Sequence, residues 1–493
     1  MDERAQIKPT LPRDNPTLSY WQDPPDRIAD FRSGKQLPES ADYVIVGGGI
    51  TGACIAFNLL ERQPHAKILM LEARGASSGA SGRNGGHTKA ASYRAFPEHA
   101  HAHGIPEAIK IAKLELANVR ATHAFAAKHN IVCESRPCET VDIIYDADAY
   151  ASGIASIKLI RESMPPNDPA AKYEILDAEK AKEIFLVDGD DVKGAFKYEA
   201  GSISAYKFVI GVLKLCLANP NFQLQTFTPV ASISKLNDMG IWVAQTSRGA
   251  VTTKNLVLAT NGYTAHLLPL MQTKIVPLRG QVTAHRAGPK IQSMHPDGLP
   301  TTYSFIYSIG YEYMISRPRL ASVPDDLVGD VVIGGGLGML PNEGLSEFGE
   351  TDDTVLNNLN SGYLRETTKR YFGSNWGDDD PASRVRKEWT GIMGITGDGL
   401  PYVGPVPEEE GLWICAGFNG HGMVLCMKSA EALTHMLCGD KREVYDWFPE
   451  SFVITKKRLK DTLFEGRKGM KAPLEFDGID FKTAVLRGTT HCG

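Results

Sequence analysis

The residues with the most readable chemistry are the glycines of the string Gly47-Gly48-Gly49-Ile50-Thr51-Gly52. In that spacing Gly47 permits a tight turn, Gly49 lets a phosphate approach the backbone, and Gly52 allows close packing of a helix on a strand. The apolar run Asp42 to Val46 precedes the string as a short strand. Ile50, Ala53, Cys54 and Phe57 follow it at the spacing of one helix face, so an anion would rest on the positive end of that helix, near Ile50 and Thr51. A second buried strand, AKILMLEA, ends at Glu72, at the interval of roughly 20 residues expected of an acid that binds a ribose hydroxyl. Together these features make a βαβ unit for a dinucleotide. An acid at position 72 disfavours a ribose 2′-phosphate, which leaves FAD or NAD.

A control lies within the chain. The run VVIGGGLGM, residues 331 to 339, also clusters glycines after a strand, but Pro341 follows instead of a helix. Gly334 to Gly336 are therefore read as backbone crowding in a sheet. A stronger parallel is GLWICAGFNGHGM, residues 411 to 423. There a strand over Leu412 to Cys415 meets Gly417, Gly420 and Gly422, and the periodicity predicts a helix from Met423 to Leu437 whose start is a second anion site. The segment from Ala73 and Arg74 to His87 contains Ser81, Gly82, Arg83, Asn84, Gly85 and Gly86. Its small residues let backbone amides wrap an extended cofactor, which selects FAD over NAD.

Here the chain resembles the D-amino-acid-oxidase-like superfamily of flavoproteins, which includes glycine oxidase, sarcosine oxidase and dimethylglycine dehydrogenase. The string S-G-R-N-G-G looks closest to the γ-glutamylputrescine oxidase branch. Further matching segments are LVLATNGYT, which holds Thr260, Asn261 and Gly262, and T-G-D-G-L-P-Y-V-G, residues 396 to 404, leading into GFNGHGM. The resemblance runs from about residue 40 to about residue 440. It implies FAD as cofactor, contacted also by Val230, Gly417, Asn419, Gly420, His421, Gly422 and Met423, with the last helix start facing the flavin pyrimidine. His87 stands where dimethylglycine dehydrogenase-like relatives carry a histidine bonded to the flavin 8α-methyl, so it is the candidate for a covalent link. Cys138 is the candidate for a second one.

The implied reaction is oxidation of an amine C–N bond by hydride transfer to flavin N5, with the imine hydrolysed in water and O2 or another acceptor taking the electrons. In glycine oxidase and D-amino-acid oxidase an arginine before the T-x-D-G-L-P segment clamps the substrate carboxylate. This chain has Met393 there. The departure points away from simple α-amino acids and toward secondary or polyamine-like amines. Sarcosine oxidase also carries a lysine linked to oxygen activation in the strand resembling Asp330 to Gly336, and this chain has none there. Trp389, Tyr307, Tyr313 and Arg279, with Tyr303, Tyr311 and Arg317, are the expected cavity residues, the tyrosines as an aromatic wall. The alternatives are an NAD-dependent dehydrogenase using only the first unit, and a flavin-binding protein without turnover.

The elements that must position these residues imply an α/β and α+β chain: a Rossmann-like FAD-binding domain with a discontinuous, mixed-sheet substrate domain. The expected boundaries are a proline-rich extended arm over 1–40, the FAD-binding domain over 41–100, 195–275 and 390–440, the substrate domain over 101–194 and 276–389, and a C-terminal extension over 441–493. A length of 493 residues suits two packed domains. No apolar run approaches the ~20 residues that span a bilayer. Lys and Arg total 53 against 58 Asp and Glu, too balanced for a nucleic-acid footprint. Eight scattered cysteines without C-x-x-C argue against a disulfide framework or zinc ribbon, and the alternating His99, His101 and His103 lack the partners of a metal site. With no apolar leader or peroxisomal C-terminal address in the sequence, cytoplasm is the expected location.

Overall fold

The computed structural model describes residues 2–236 and 240–464. Among them two mixed sheets form, of eight and nine strands, so the chain is a mixed α/β protein as the sequence predicts. The first sheet is organised by Ser40–Val46, whose last four residues are all buried, as a strand covered on both faces must be. It pairs in parallel with Ile68–Leu71 on one side and Gly249–Leu258 on the other. Phe222–Gln225 and Leu412–Ala416 extend the parallel set at its two ends. All five strands therefore point the same way, and Gly47, Glu72, Ala259 and Gly417 leave their C-terminal ends together. That edge is where a parallel sheet opens a binding crevice. An antiparallel strand, Tyr402–Pro405, and the pair Val230–Leu236 and Ile241–Thr246 complete the sheet.

Three helices, Ile50–Arg62, Ala205–Leu217 and Cys426–Leu437, pack together on one face. Ile55, Leu59, Val209, Leu213 and Leu433 are fully buried in that layer, and each such side chain contributes about 1.5–3 kcal/mol relative to exposure. This packing holds the helix start at Ile50 over the strand ends. Gly52 is required here: a Cβ on it would stand 2.0 Å from the Gly47 carbonyl oxygen.

The second sheet runs Val385–Thr396, Ile275–His285, Val331–Gly334, Tyr311–Ser316, Thr302–Ile306, Arg136–Ile144, Gly194–Ser202 and His87–Lys89, with Glu174–Asp177 also on Gly194–Ser202. Its first two strands form a long antiparallel ladder from Ile275/Thr396 to His285/Val385. The helix Ile105–Lys128 meets both His87–Lys89 and the helix Cys426–Leu437.

Several local expectations change. The predicted helix from Met423 begins at Cys426, because Gly422–Val424 forms a 3-10 turn first. The small-residue segment does not wrap to its end: after a 3-10 turn at Ala80–Gly82 it enters the second sheet at His87, paired with Ser202. The run VVIGGG is a strand followed by a 3-10 turn, Leu337–Met339, in keeping with its reading as sheet crowding. The arm is largely irregular, with only Asp2–Ala5 helical and a 3-10 turn at Tyr20–Gln22. It is tied down by Thr17 N donating to the Asp353 carbonyl (2.8 Å) and Trp21 Nε1 donating to the Asn84 carbonyl (2.7 Å). No helix among the described residues is long and apolar enough to cross a membrane.

Candidate functional site

An elongated cavity opens along the C-terminal edge of the parallel strands and continues against the second sheet. At one end lie Gly47, Gly49, Ile50, Thr51, Glu72, Ala73 and Arg74, with Val230 beside them. Glu72 is held by two backbone donors: Gly48 N gives to Oε2 (2.7 Å) and Arg74 N gives to Oε1 (2.9 Å). Ser81 Oγ accepts from Ile50 N (2.9 Å), which fastens the small-residue segment to the helix start. A Cβ on Gly49 would come within 3.0 Å of that same oxygen. The backbone is thus kept bare where the helix dipole is strongest.

The middle of the cavity is set by Arg83, Asn84, Thr260 and Asn261. Arg83 is buried and donates to the Ser78 carbonyl (Nε, 2.8 Å) and the Thr390 carbonyl (Nη1, 2.8 Å). Burial pushes its guanidinium down to about 10, against the pull of Asp353. Arg74 donates to both carboxylate oxygens of Asp353 (3.0 and 2.9 Å), and Arg83 Nε lies 3.7 Å from it. Two buried guanidiniums share one carboxylate, leaving net positive charge beside the cavity. The Tyr263 hydroxyl is buried with no hydrogen-bond partner among the described residues, on a side chain that lines the cavity.

At the far end stand Met393, Tyr313, Asn419, Gly420, Gly422 and Met423. Asn261 Oδ1 accepts from Gly417 N (3.0 Å) and Phe418 N (3.2 Å), and Asn419 Oδ1 accepts from Thr396 N (2.8 Å). These bonds lock two glycine turns from distant parts of the chain together. The Met393 thioether spans Gly280 and Gly420: a Cβ on either would be 3.0 Å from it. It packs against an apolar cluster that includes Leu278, Leu337 and Ile395.

Other expected residues are placed elsewhere. Gly52, Gly82, Gly85, Gly86, Gly262 and Gly417 stand behind the lining and serve close packing. A Cβ on Gly85 would strike the Tyr313 ring at 2.4 Å, and one on Gly262 the Met393 carbonyl oxygen at 2.4 Å. His87 does not line the cavity. Its Nε2 lies 2.6 Å from Thr302 Oγ1 and 3.2 Å from Thr140 Oγ1, and burial drives its pKa well below the usual imidazole value. Cys138 lies on the second sheet away from the cavity, its thiol pushed up by burial. His421 turns to Glu115 (Nε2 to Oε1, 3.0 Å). Trp389 is fully buried, donating to the Arg83 carbonyl (2.7 Å), and supports the lining from behind.

Arg279, expected in the cavity, is spent on Glu347 (2.7 Å) and the Asp352 carbonyl (3.0 Å). Arg317 forks onto Glu134 (2.9 and 2.6 Å). Tyr307 is directed to the Tyr371 hydroxyl (3.0 Å), and Tyr303 lies in the core beneath the second sheet. Of the tyrosines expected in the wall, Tyr311 and Tyr313 reach the cavity. Residues outside the expected set that line it include Leu11, Pro12, Tyr263 and Gln281. Tyr263 directly follows the Asn261-Gly262 turn and was within reach of sequence reasoning. Nothing local to Leu11 or Pro12 reports where the arm docks.

The family model described as FAD dependent oxidoreductase (DAO) matches residues 42–436. Among curated proteins, γ-glutamylputrescine oxidoreductase of Escherichia coli is 23% identical over 439 residues, 88% of this chain and 91% of that protein. A probable oxidoreductase, OrdL, of Haemophilus influenzae is 22% identical over 453 residues, 86% and 88% of the two chains. Among solved structures, glycine oxidase from Geobacillus kaustophilus superposes with a TM-score of 0.64 at 20% identity, covering 85% of this chain and 99% of that one.

Proposed function

Because this chain belongs to the FAD dependent oxidoreductase family DAO, we propose that it oxidises the C–N bond of an amine bearing no carboxylate on the reacting carbon. The family names FAD, not NAD, for the dinucleotide site that the first glycine motif describes. Bound FAD supplies the two-electron acceptor that takes a hydride from the substrate carbon. The chain's own part is to bind and orient. In this reading Glu72 holds the ribose, the helix start at Gly49 and Thr51 faces the diphosphate while the Ile50 amide stays with Ser81, and the residual charge of Arg74 and Arg83 offsets its negative charge. Tyr263 offers its hydroxyl to the cofactor, and the turns at Asn261 and Asn419 frame the flavin. The cofactor is held without a bond to His87, whose Nε2 is engaged by two threonines outside the cavity.

Met393 carries the substrate assignment. It fills the place of the carboxylate-clamping arginine, lies across Gly280 and Gly420, and packs with Leu278, Leu337 and Ile395. A carboxylate brought against that wall would lose its hydration without gaining a charge partner, a cost of several kcal/mol per ion. A neutral amine would lose far less. Tyr311 and Tyr313 supply an aromatic side to the same chamber.

The test is an anaerobic panel of secondary amines, polyamine derivatives and amino acids added to the purified yellow protein. Bleaching near 450 nm, approximately the flavin band, is expected with amines. Rapid bleaching by a simple α-amino acid such as glycine, with no response to the amines, overturns the assignment.

A further inference from the structure

We propose that the N-terminal arm is part of the cofactor site: Leu11 and Pro12 lie as a strap across the cavity and retain FAD, which leaves when the strap lifts. The inference rests on the FAD site of the reading above and is independent of the amine.

The arm precedes the family match, which begins at residue 42, so the family's motifs do not supply this part of the wall. Leu11 and Pro12 nonetheless line the cavity. The chain on each side of them is tied to a lining residue. Upstream, His266 Nδ1 donates to the Pro9 carbonyl (3.0 Å); downstream, Arg74 Nη1 donates to the Arg13 carbonyl (3.1 Å). His266 belongs to the short helix Thr264–Leu267 after the Asn261 turn, and Arg74 follows Glu72. Both line the cavity, from separate parts of the chain. Only Thr10, Leu11 and Pro12 stand between the two anchors, so the crossing is short.

The composition of the crossing suits a cover. Pro9, Pro12 and Pro16 keep this part of the arm out of helix and sheet interior. The carbonyls of Pro9, Leu11 and Arg13 accept from His266, from Thr10 Oγ1 (2.9 Å) and from Arg74, and Pro12 has no N–H. The crossing therefore offers a ligand mainly a leucine side chain and a proline ring. Thr10 and Arg13 are exposed while Leu11 and Pro12 are half-buried, which gives the strap a polar outer side and an apolar inner one. Its flanks are fixed more firmly. Ala5 is buried with Leu278, Leu337 and Ile395, and Gln272 Nε2 donates to its carbonyl (2.7 Å). Ser19 Oγ donates to the Gly82 carbonyl (2.7 Å) in a buried bond. The crossing itself is held by the His266 and Arg74 bonds and by Thr10 Oγ1 with Thr351 Oγ1 (2.9 Å). These bonds are only partly buried, so water can take the place of either partner. The strap is rooted at both flanks and lightly held between them. Arg74 ties it to the charge that offsets the diphosphate, so strap and cofactor meet at one guanidinium.

The experiment locks the strap. Thr10→Cys is combined with Thr351→Cys, at positions whose hydroxyls stand 2.9 Å apart, near enough for a disulfide. FAD release is read as the rise of free-flavin fluorescence after dilution of the holoprotein. The oxidised lock is expected to release FAD at least about tenfold more slowly than the same protein after reduction with dithiothreitol. Thr10→Cys alone is expected to show no such difference. Leu11→Gly with Pro12→Gly is expected to release FAD about 10- to 100-fold faster than wild type, the factor that burial of one leucine side chain supplies. Equal release from the oxidised and reduced lock overturns the proposal. So does release from the Leu11→Gly and Pro12→Gly pair within about twofold of wild type. Reversal by reduction is a readout that damage to folding would not give. Release that follows the lock in a protein that no amine bleaches leaves the strap standing and removes the amine.

Discussion

The perturbation with the best-defined cost is Asp353→Asn. The Asp353 side chain is 1% exposed and faces Arg74 and Arg83, themselves 6% and 2% exposed. The substitution keeps the shape and removes the only carboxylate within 4 Å of either guanidinium among the described residues. Breaking a buried pair by neutralising one partner costs about 3–5 kcal/mol, because the remaining charge stays desolvated. The asparagine oxygen can still accept one bond from Arg74, which puts the expected loss near the lower end, about 3 kcal/mol. Against a typical total of 5–15 kcal/mol that is a large fraction. The assay is urea unfolding of the holoprotein, followed by tryptophan fluorescence and by release of flavin. Both transitions are expected at lower urea for Asp353→Asn, because the two arginines also brace Ser78 and Thr390 at the cavity. Asp326→Asn is the comparison: its carboxylate is 75% exposed and 3.8 Å from Arg386, so a change of less than about 1 kcal/mol is expected. A loss below about 1 kcal/mol for Asp353→Asn itself would refute the buried-charge argument.

Three further outcomes follow from the same geometry. Gly52→Ala sets a Cβ 2.0 Å from the Gly47 carbonyl oxygen, a backbone atom that cannot swing aside, so the purified variant is expected colourless or aggregated. Gly362→Ala, in the helix Asn358–Phe372 with nothing within 4 Å, is expected to hold its flavin and gain up to about 1 kcal/mol; equal colour in both would show that the first turn tolerates displacement. Acid precipitation is expected to release all yellow colour into the supernatant, and colour retained in the pellet contradicts the placement of His87 against Thr140 and Thr302. Met393→Arg puts a larger charged group between Gly280 and Gly420 and is expected to lower kcat/KM on amines at least tenfold, while Met393→Leu stays within about threefold. Similar rates for Met393→Arg and wild type would remove Met393 from the substrate wall.

Features with a short period were readable in the chain. The strand, glycine turn, helix and Glu72 of the first unit, and the strand and glycines after Leu412, are set by neighbours a few residues apart: buried β-branched runs, bare backbone at a turn, and a 3.6-residue apolar face. The glycine turns those rules marked border two ends of one cavity, whereas Met393 was singled out by the family resemblance and only the fold brings it beside Gly420. They did not tell packing glycines from lining ones: Gly49 lines the cavity beside Ser81, while Gly52 packs on the Gly47 carbonyl. Nor did they assign partners to charged and polar side chains. Arg279 and Arg317 resemble substrate clamps until Glu347 and Glu134, distant in sequence, prove to neutralise them. His87 sits in the expected segment, yet pairing with Ser202 draws its strand into the second sheet and its ring toward Thr302. The arm's docking at Leu11 and Pro12 is of the same kind. Local spacing determines where backbone can bind a dinucleotide; which charges remain free to meet a substrate depends on residues that only the folded chain brings within a few ångströms of one another.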